Sequence, residues 1–151
     1  MEINLKDPDF VNSILPRDMA YCFNHSCPKA NNCFRHIAAL VKKECLKCGY
    51  AIYPDALQEG RCDYFLRPRA IAAAWGFAHL YDNVKHSEIG VMRAHVMGIL
   101  GGRTSYYRYH RGEKRLTPEQ QDTIKDCFAS QGYEKPTFDY FKEMIDFVST
   151  P

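Results

Sequence analysis

The sequence predicts a mainly α-helical protein in which a small zinc-stabilised N-terminal module packs on a C-terminal helical bundle. Three observations lead to this prediction. Six of the seven cysteines fall within residues 22–62, a stretch with few large aliphatic side chains. From residue 68 onward, apolar residues recur at helical spacing, and glycines, prolines and N-cap residues mark the ends of the segments. We therefore distinguish a cysteine-rich metal-binding module, residues 1–67, from a helical region, residues 68–151.

The N-terminal part of the chain offers few regular elements. The first 18 residues contain two prolines and no sustained periodicity, so we expect loops or an extended arm. Residues 34–43 carry apolar side chains at helical spacing and predict one helix. Residues 49–54 and 62–66 suit short strands or irregular chain. Because so little of this part can be buried, bound metal is the expected source of its stability.

The C-terminal part divides into five helical segments with recognisable ends. In residues 69–82 and again in residues 137–148, apolar side chains fall on one face of a helix. Three more segments lie between them: residues 89–100 after a Ser87 N-cap and before two glycines, residues 104–111, and residues 117–132. At the start of the last of these, Thr117, Pro118 and Gln120 have the spacing of a capping box with a first-turn proline.

Composition excludes several classes of protein. The chain has 151 residues, of which 46% are hydrophobic and 25% charged, and it is therefore neither disordered nor collagen-like. No apolar run reaches the roughly 18 residues that a membrane-spanning helix requires, so we expect no membrane partner. The first residues lack the apolar block of a secretory signal, which predicts a reducing, cytoplasmic location. There, close-set cysteines are typical of metal ligands rather than disulfides.

The cysteine spacing predicts a metal site but leaves its ligands open. The six clustered cysteines allow fifteen sets of four, and spacing alone favours Cys45 and Cys48, which have the two-residue separation of a zinc knuckle. Four thiolates form a closed, structural zinc site, and an iron–sulfur cluster on the same residues is the second interpretation. His25 or His36 could replace one cysteine. The remaining alternative is cysteines that pack as small hydrophobic side chains.

A resemblance to a known family narrows this choice. Three stretches resemble the fixed points of an uncharacterised family of short cysteine-rich Bacteroidetes proteins: residues 22–33, the Phe34-Arg35-His36 that follows, and Cys62-Asp63-Tyr64-Phe65. The resemblance covers nearly the whole chain and includes Trp75-Gly76 and Tyr106-Tyr107-Arg108. It implies that the metal ligands are Cys22, Cys27, Cys33 and Cys62, with Cys45 and Cys48 as free thiols or a second, weaker site. The family has no assigned activity and therefore implies no function.

Positive charge is concentrated in residues 102–115. This segment carries five basic side chains and one acidic one, a net charge of +4, whereas residues 116–151 have a net charge of −4. A basic stripe of this kind is typical of a surface that binds a polyanion. Arginine and lysine neutralise phosphates, while serine, tyrosine or arginine reach base edges. The candidate nucleic-acid-binding residues are Arg103, Ser105, Tyr106, Arg108, Arg111, Lys114 and Arg115.

The basic segment lies within about 45 residues that resemble the headpiece of lactose-repressor-type regulators. In this resemblance, residues 89–100 correspond to the first helix and residues 104–111 to the recognition helix. Thr117 caps a third helix that leads to Gly132-Tyr133, and the turn before the recognition helix is one residue off the usual length. The resemblance implies a helix-turn-helix-like unit in the C-terminal bundle, with double-stranded DNA as the partner.

Together these observations predict a zinc-binding, DNA-binding regulatory protein. Single-stranded RNA is a second candidate ligand, since bases stack on tyrosine rings. The alternative function is a zinc-stabilised protein-interaction module, with the basic segment as a solvated face and the tyrosines as anchors for another protein. No phosphate-binding loop, nucleophile elbow or zincin motif is present, so we expect no enzyme.

Overall fold

The fold is mixed α/β, with 38% helix and 18% strand, and the predicted mainly α-helical fold class is wrong. The computed structural model describes residues 2–149. Its helices are α1 (Pro8–Ser13), α2 (Phe34–Lys42), α3 (Ile89–Ile99), α4 (Arg103–His110) and α5 (Pro118–Ser130). Its strands are β1 (Tyr21–Cys22), β2 (Ala51–Ile52), β3 (Leu57–Gln58), β4 (Arg61–Cys62), β5 (Arg67–Trp75) and β6 (Tyr140–Val148). Short 3-10 turns lie at Ala30–Asn32, Pro54–Ala56 and His86–Glu88.

The strands form three sheets of two strands each in the described part of the chain. β1 and β2 are parallel, with Cys22 opposite Ile52. β3 and β4 are antiparallel, with Leu57 opposite Cys62. β5 pairs with β6, although residues 76–139 separate them in the sequence. The β1–β2 and β5–β6 sheets therefore join segments that are remote from each other along the chain, whereas only residues 59–60 separate β3 from β4.

The two long strands lie where the sequence predicts helices. Residues 69–82 and 137–148 have apolar side chains at helical spacing, but the chain is extended over Arg67–Trp75 and over Tyr140–Val148. In β5, the exposed Ala72 stands between the buried Ile71 and Ala73. Hydrogen bonds to a strand remote in sequence stabilise each segment, and they outweigh the local helix propensity of the alanines. The two predicted helices are therefore corrected to strands.

The predicted helices between these strands are present. α2, α3, α4 and α5 begin and end within two residues of the predicted bounds. The capping box of α5 is complete, because Thr117 Oγ1 accepts a hydrogen bond from the Gln120 amide at 3.4 Å and Gln120 Oε1 accepts one from the Thr117 amide at 3.0 Å. Pro118 occupies the first turn, as the sequence predicts.

Helix α1 lies where the sequence predicts loops. The side chain of Asp7 accepts a hydrogen bond from the amide of Asp9 at 2.9 Å and caps the helix. Pro8 stands at the first helical position, where a missing amide hydrogen costs nothing and the fixed φ angle favours the helix. The proline that argued against a helix is therefore part of its start.

The chain folds as two compact units. Unit 1 consists of Met1–Ala70 together with Ile145–Pro151, and unit 2 of Ile71–Met144. Val11 and Phe34 are fully buried in the core of unit 1, and the ring centroid of Phe147 lies 5.0 Å from that of Phe34. An Nη atom of Arg69 lies 2.9 Å from a carboxylate oxygen of Asp146. Both ends of the chain therefore contribute to unit 1.

Unit 2 has a larger core that fixes the position of α4. Leu116, Ile124 and Phe128 are essentially inaccessible to solvent, and the Tyr106 and Tyr109 rings of α4 join this cluster. Contacts link α3 to both α4 and α5. Since α4 contributes its tyrosines to the core, its other side is the one that meets solvent.

Candidate metal-binding and nucleic-acid-binding sites

Four cysteines that are remote in sequence line one small pocket of unit 1, which we name the thiol pocket. Cys22 lies on β1, Cys27 in the loop that follows, Cys33 directly before α2, and Cys62 on β4. The pocket has a volume of about 20 Å³. Its other lining residues include His36 and Phe65. The four cysteines are the ones that the family resemblance implies as ligands.

Backbone hydrogen bonds hold the thiol pocket together. The amide of Ala30 donates to the carbonyl of Cys27 at 3.0 Å, and the amide of Cys33 donates to the carbonyl of Ala30 at 3.2 Å. These turns place two cysteines on successive bends of one loop. The amide of Phe34 donates to Leu66 at 2.7 Å, which brings the segment after Cys62 against the start of α2.

The thiols are close enough to influence one another's ionisation. Burial is the largest cause that raises the pKa of the Cys22 thiol above its ordinary value. A hydrogen bond with the backbone of Asn24 opposes this rise. The neighbouring thiols of Cys33, Cys27 and Cys62 raise the pKa further, since a second negative charge nearby disfavours the thiolate. A cation in the pocket acts in the opposite direction, because it stabilises thiolates.

The thiol pocket is not a formed coordination shell. Among residues 2–149, no group of three or more His, Cys, Asp or Glu side chains is arranged to hold a metal ion. His36 is buried, and its Nδ1 atom lies 3.1 Å from the carbonyl oxygen of Cys22. The ring of His25 meets it edge-on at 5.1 Å. The zinc-stabilised module of the predicted fold class is therefore corrected to a cysteine-lined pocket without a formed group of metal ligands among the described residues.

The remaining cysteines lie apart from the thiol pocket. Cys45 and Cys48 are both exposed in the turn that follows α2, although spacing alone favours them as ligands. Cys48 lines a separate groove together with Phe23 and Tyr50. Cys127 belongs to α5 in unit 2. The structure therefore separates a set of four cysteines from an exposed pair.

Helix α4 presents a basic side to solvent. Arg103 and Arg108 are exposed, and so is Arg111 directly after the helix, whereas Ser105 is half-buried. Tyr106 is 4% exposed, and its hydroxyl donates to the hydroxyl of Tyr81 at 3.2 Å. Tyr106 therefore belongs to the core, whereas the five basic residues among the seven predicted nucleic-acid-binding residues do not.

The basic side chains of this segment interact with neighbours in unit 2. Glu113 accepts a hydrogen bond from Arg111 Nε at 2.7 Å, and Arg108 Nε lies 3.4 Å from the same carboxylate. The hydrogen bond from Arg111 is the main reason that the pKa of Glu113 lies below its ordinary value. Lys114 Nζ lies 5.7 Å from the ring centroid of Tyr109. Glu113, the one acid already counted in the net charge of +4, therefore pairs with two of the five basic side chains.

The chain matches a family of unknown function, DUF6078, over residues 5–147. It belongs to this family. The prediction that it falls in a family without an assigned activity is thereby confirmed. Comparison with curated proteins and with solved structures gives no match. In this DUF6078 protein, no helix within residues 2–149 is both long enough and apolar enough to cross a membrane.

Three residues of this DUF6078 protein lie at the candidate sites, although they are not among the predicted site residues. Glu113 is the single acid of the basic segment, and its position two residues from Arg111 is a signal that the sequence contains. Trp75 and Tyr140 stack on each other across β5 and β6 with a centroid distance of 5.4 Å. No sequence signal could have paired them, since the predicted helices place them on separate elements.

Proposed function

We propose that this protein binds one zinc ion through Cys22, Cys27, Cys33 and Cys62. The observation that carries the proposal is that these four cysteines, spread over residues 22–62, line a single pocket. Thiolates are the usual ligands of structural zinc. Coordination of one ion requires the four thiols to turn toward one point, because the described residues hold no formed group of metal ligands. The proposed role is structural, because four protein ligands leave no open position.

The size of the thiol pocket favours a single ion over an iron–sulfur cluster. Its volume of about 20 Å³ exceeds the roughly 10–15 Å³ that one water molecule needs. A cluster adds sulfide and further iron atoms to the same four thiolates and needs more room. The iron–sulfur alternative therefore needs more room in the thiol pocket than a single zinc ion does.

Metal content of purified variants tests this proposal. The wild-type chain and Cys45→Ser are expected to carry about one zinc per chain by elemental analysis, because Cys45 lies outside the thiol pocket. Cys27→Ser is expected to lose zinc and to unfold at a lower temperature. Equal zinc content in the two variants contradicts the assignment of ligands. Iron with visible absorbance in the wild-type chain supports the cluster instead.

We further propose that the basic side of α4 binds nucleic acid, with DNA as the first ligand to test. The supporting observation is the division of α4, whose Tyr106 and Tyr109 are buried while Arg103 and Arg108 are exposed. Helices α3, α4 and α5 follow one another in the order of a repressor-type headpiece, and two glycines with positive φ precede α4. The helix-turn-helix-like arrangement is part of this proposal.

The proposed contact set omits Tyr106. Its ring is enclosed in the core of unit 2 and cannot reach a base edge. Phosphate contacts remain for the basic residues, and a base contact for Ser105 or Arg108. The full proposed set is Arg103, Ser105, Arg108, Arg111, Lys114 and Arg115. Neither proposed role includes a catalytic step, and the cytoplasmic location and Bacteroidetes origin stay predictions.

Fluorescence anisotropy with labelled duplex and single-stranded DNA, at several salt concentrations, tests the second proposal. Affinity is expected to fall steeply as salt rises, since bound phosphates release counterions. Arg108→Gln combined with Arg111→Gln is expected to reduce the slope of log affinity against log salt by about 2 for a duplex. The control pair, Arg17→Gln with Arg61→Gln, removes the same charge from unit 1 and is expected to bind normally.

Absence of binding to either DNA at low salt contradicts the nucleic-acid proposal. The exposed charges are then a solvated face, and the protein-interaction module becomes the favoured function. The zinc proposal is independent of this result, because its ligands all lie in unit 1.

A further inference from the structure

Two stacked aromatic rings, the half-buried Trp75 and the exposed Tyr140, form a platform in unit 2. The rings of Trp75 and Tyr140 are 22° from parallel, with centroids 5.4 Å apart. The guanidinium carbon of Arg115 lies 4.7 Å from the centroid of the Trp75 ring. Tyr140 is 57% exposed although it already stacks on Trp75. We name Trp75 and Tyr140 the aromatic platform.

The backbone around the aromatic platform is fixed. Asp139 accepts hydrogen bonds from the amides of Ala78 at 2.7 Å and His79 at 3.2 Å. Gly76 has a φ of +86°, and a Cβ atom there would lie 2.9 Å from the Tyr140 ring. The ring of Tyr140 is therefore held in place while much of its surface meets solvent. A rigid exposed ring loses little conformational entropy when a flat ligand stacks on it.

Basic side chains lie beside the aromatic platform, together with the carboxylate of Asp139, which is held by the amides of Ala78 and His79. Arg115 lies against Trp75, and the backbone of Gly112 approaches the same ring so closely that a Cβ atom would lie 2.8 Å from it. The basic loop after α4, which contains Arg111 and Lys114, therefore adjoins the platform. Lys142 is exposed and stands two residues from Tyr140, on the same side of β6 by strand alternation. Cations beside an exposed ring complement the phosphates that flank a base.

We propose that the aromatic platform stacks an unpaired base, so that the nucleic acid bound by unit 2 is single-stranded. This inference rests on the nucleic-acid binding proposed above and names its substrate class, and it replaces the duplex-reading, helix-turn-helix part of that proposal. A duplex keeps its bases inside the helix, where an exposed tyrosine cannot stack on them, whereas a single strand offers each base face. Arg115 and Lys142 contact the phosphates on either side of the stacked base. Arg111 and Lys114 continue the same path toward α4.

Trp75 supplies a direct readout, because it is the single tryptophan of the chain. Titration with a short oligo(dT) is expected to quench its fluorescence as a base stacks on the platform. The matching duplex is expected to bind more weakly and to leave the fluorescence nearly unchanged. Anisotropy of a labelled oligo(dT) measures the affinity independently of the tryptophan signal.

Variants of Tyr140 separate stacking from charge. Tyr140→Ala is expected to weaken oligo(dT) binding by about 5- to 150-fold, the range for loss of one stacked base. Tyr140→Phe keeps the ring and is expected to bind normally. Tyr140→Leu keeps apolar contact with Trp75 without the aromatic face, so it tests the ring if the alanine variant folds poorly. Tyr53→Ala removes a tyrosine of unit 1 that is 79% exposed and serves as the matched control.

The outcomes separate this inference from the proposal on which it rests. Quenching together with loss of affinity in Tyr140→Ala and Tyr140→Leu supports the aromatic platform. If oligo(dT) or duplex binds and the α4 arginine variant weakens it, while both Tyr140 variants bind normally, the platform is overturned and the nucleic-acid proposal stands. If neither DNA binds at low salt, both fall together.

Discussion

Substitution of Gly112 by alanine tests how tightly the loop after α4 is fitted against Trp75. Gly112 has a φ of +74°, and a Cβ atom there would lie 2.8 Å from two atoms of the Trp75 ring. The left-handed backbone costs an alanine roughly 1–2 kcal/mol. Forcing a methyl group against a ring that cannot move costs about 1–3 kcal/mol more. We therefore expect Gly112→Ala to lower the free energy of unfolding by about 2–5 kcal/mol.

Gly132→Ala is the matched control for this prediction. Gly132 has a φ of +79°, so alanine meets the same backbone cost, but no atom lies within 4 Å of the added Cβ. The difference between the two variants isolates the contact with Trp75. It is expected to be about 1–3 kcal/mol, with Gly112→Ala the less stable.

Urea unfolding followed by circular dichroism measures this difference. For a slope of about 2 kcal/mol per molar urea, the midpoints of the two variants should differ by about 0.5–1.5 M. Trp75 emission should change in the folded state of Gly112→Ala and not in that of Gly132→Ala. Equal midpoints with unchanged emission would show that the ring yields freely, and the rigid fit inferred for the loop would be refuted.

Three further predictions concern the candidate sites and the core of unit 2. In the metal-free chain, iodoacetamide should modify the exposed Cys45 before Cys22, because the raised pKa of the Cys22 thiol lowers its reactive thiolate fraction. Peptide mass spectrometry measures the order of modification, and earlier modification of Cys22 contradicts the prediction. Glu113→Gln should strengthen DNA binding, because it releases Arg108 and Arg111 from the carboxylate. Lowering the pH below the depressed pKa of Glu113 protonates the same carboxylate and should also strengthen binding, and anisotropy at several pH values checks both. Tyr106→Phe should cost about 0.5–1.5 kcal/mol in urea by removing the buried hydroxyl contact with Tyr81.

The elements that the sequence predicts well are those with local signals. The capping box of Thr117 and Gln120 depends on residues three apart, and it is present. Helix α2 likewise follows from the spacing of its own apolar side chains. The strands β5 and β6 have no such signal, because the hydrogen bonds that stabilise each of them come from the other. Their alanine-rich and aromatic segments suit a helix just as well when considered alone.

For the candidate sites too, the sequence indicates the residue types and segments, whereas their spatial arrangement depends on the fold. Residue type and clustering point to the cysteines, and the fold separates Cys22 and its three neighbours from the exposed Cys45 and Cys48. Charge counting points to residues 102–115 but does not show that Arg108 and Arg111 share one carboxylate. The burial of Tyr106 and the stacking of Trp75 on Tyr140 depend on tertiary packing, so spacing could not indicate them.

The return of the C-terminal residues to unit 1 affects how this protein folds on the ribosome. The first segment of unit 1 ends at Ala70 and the second begins at Ile145, so its core lacks Phe147 until that second segment has been translated. At about 5–20 residues per second, synthesis of the intervening segment takes roughly 4–15 seconds. During that interval all four cysteines of the thiol pocket are already part of the nascent chain. The four thiols are therefore synthesised several seconds before the C-terminal strand that completes the core of unit 1.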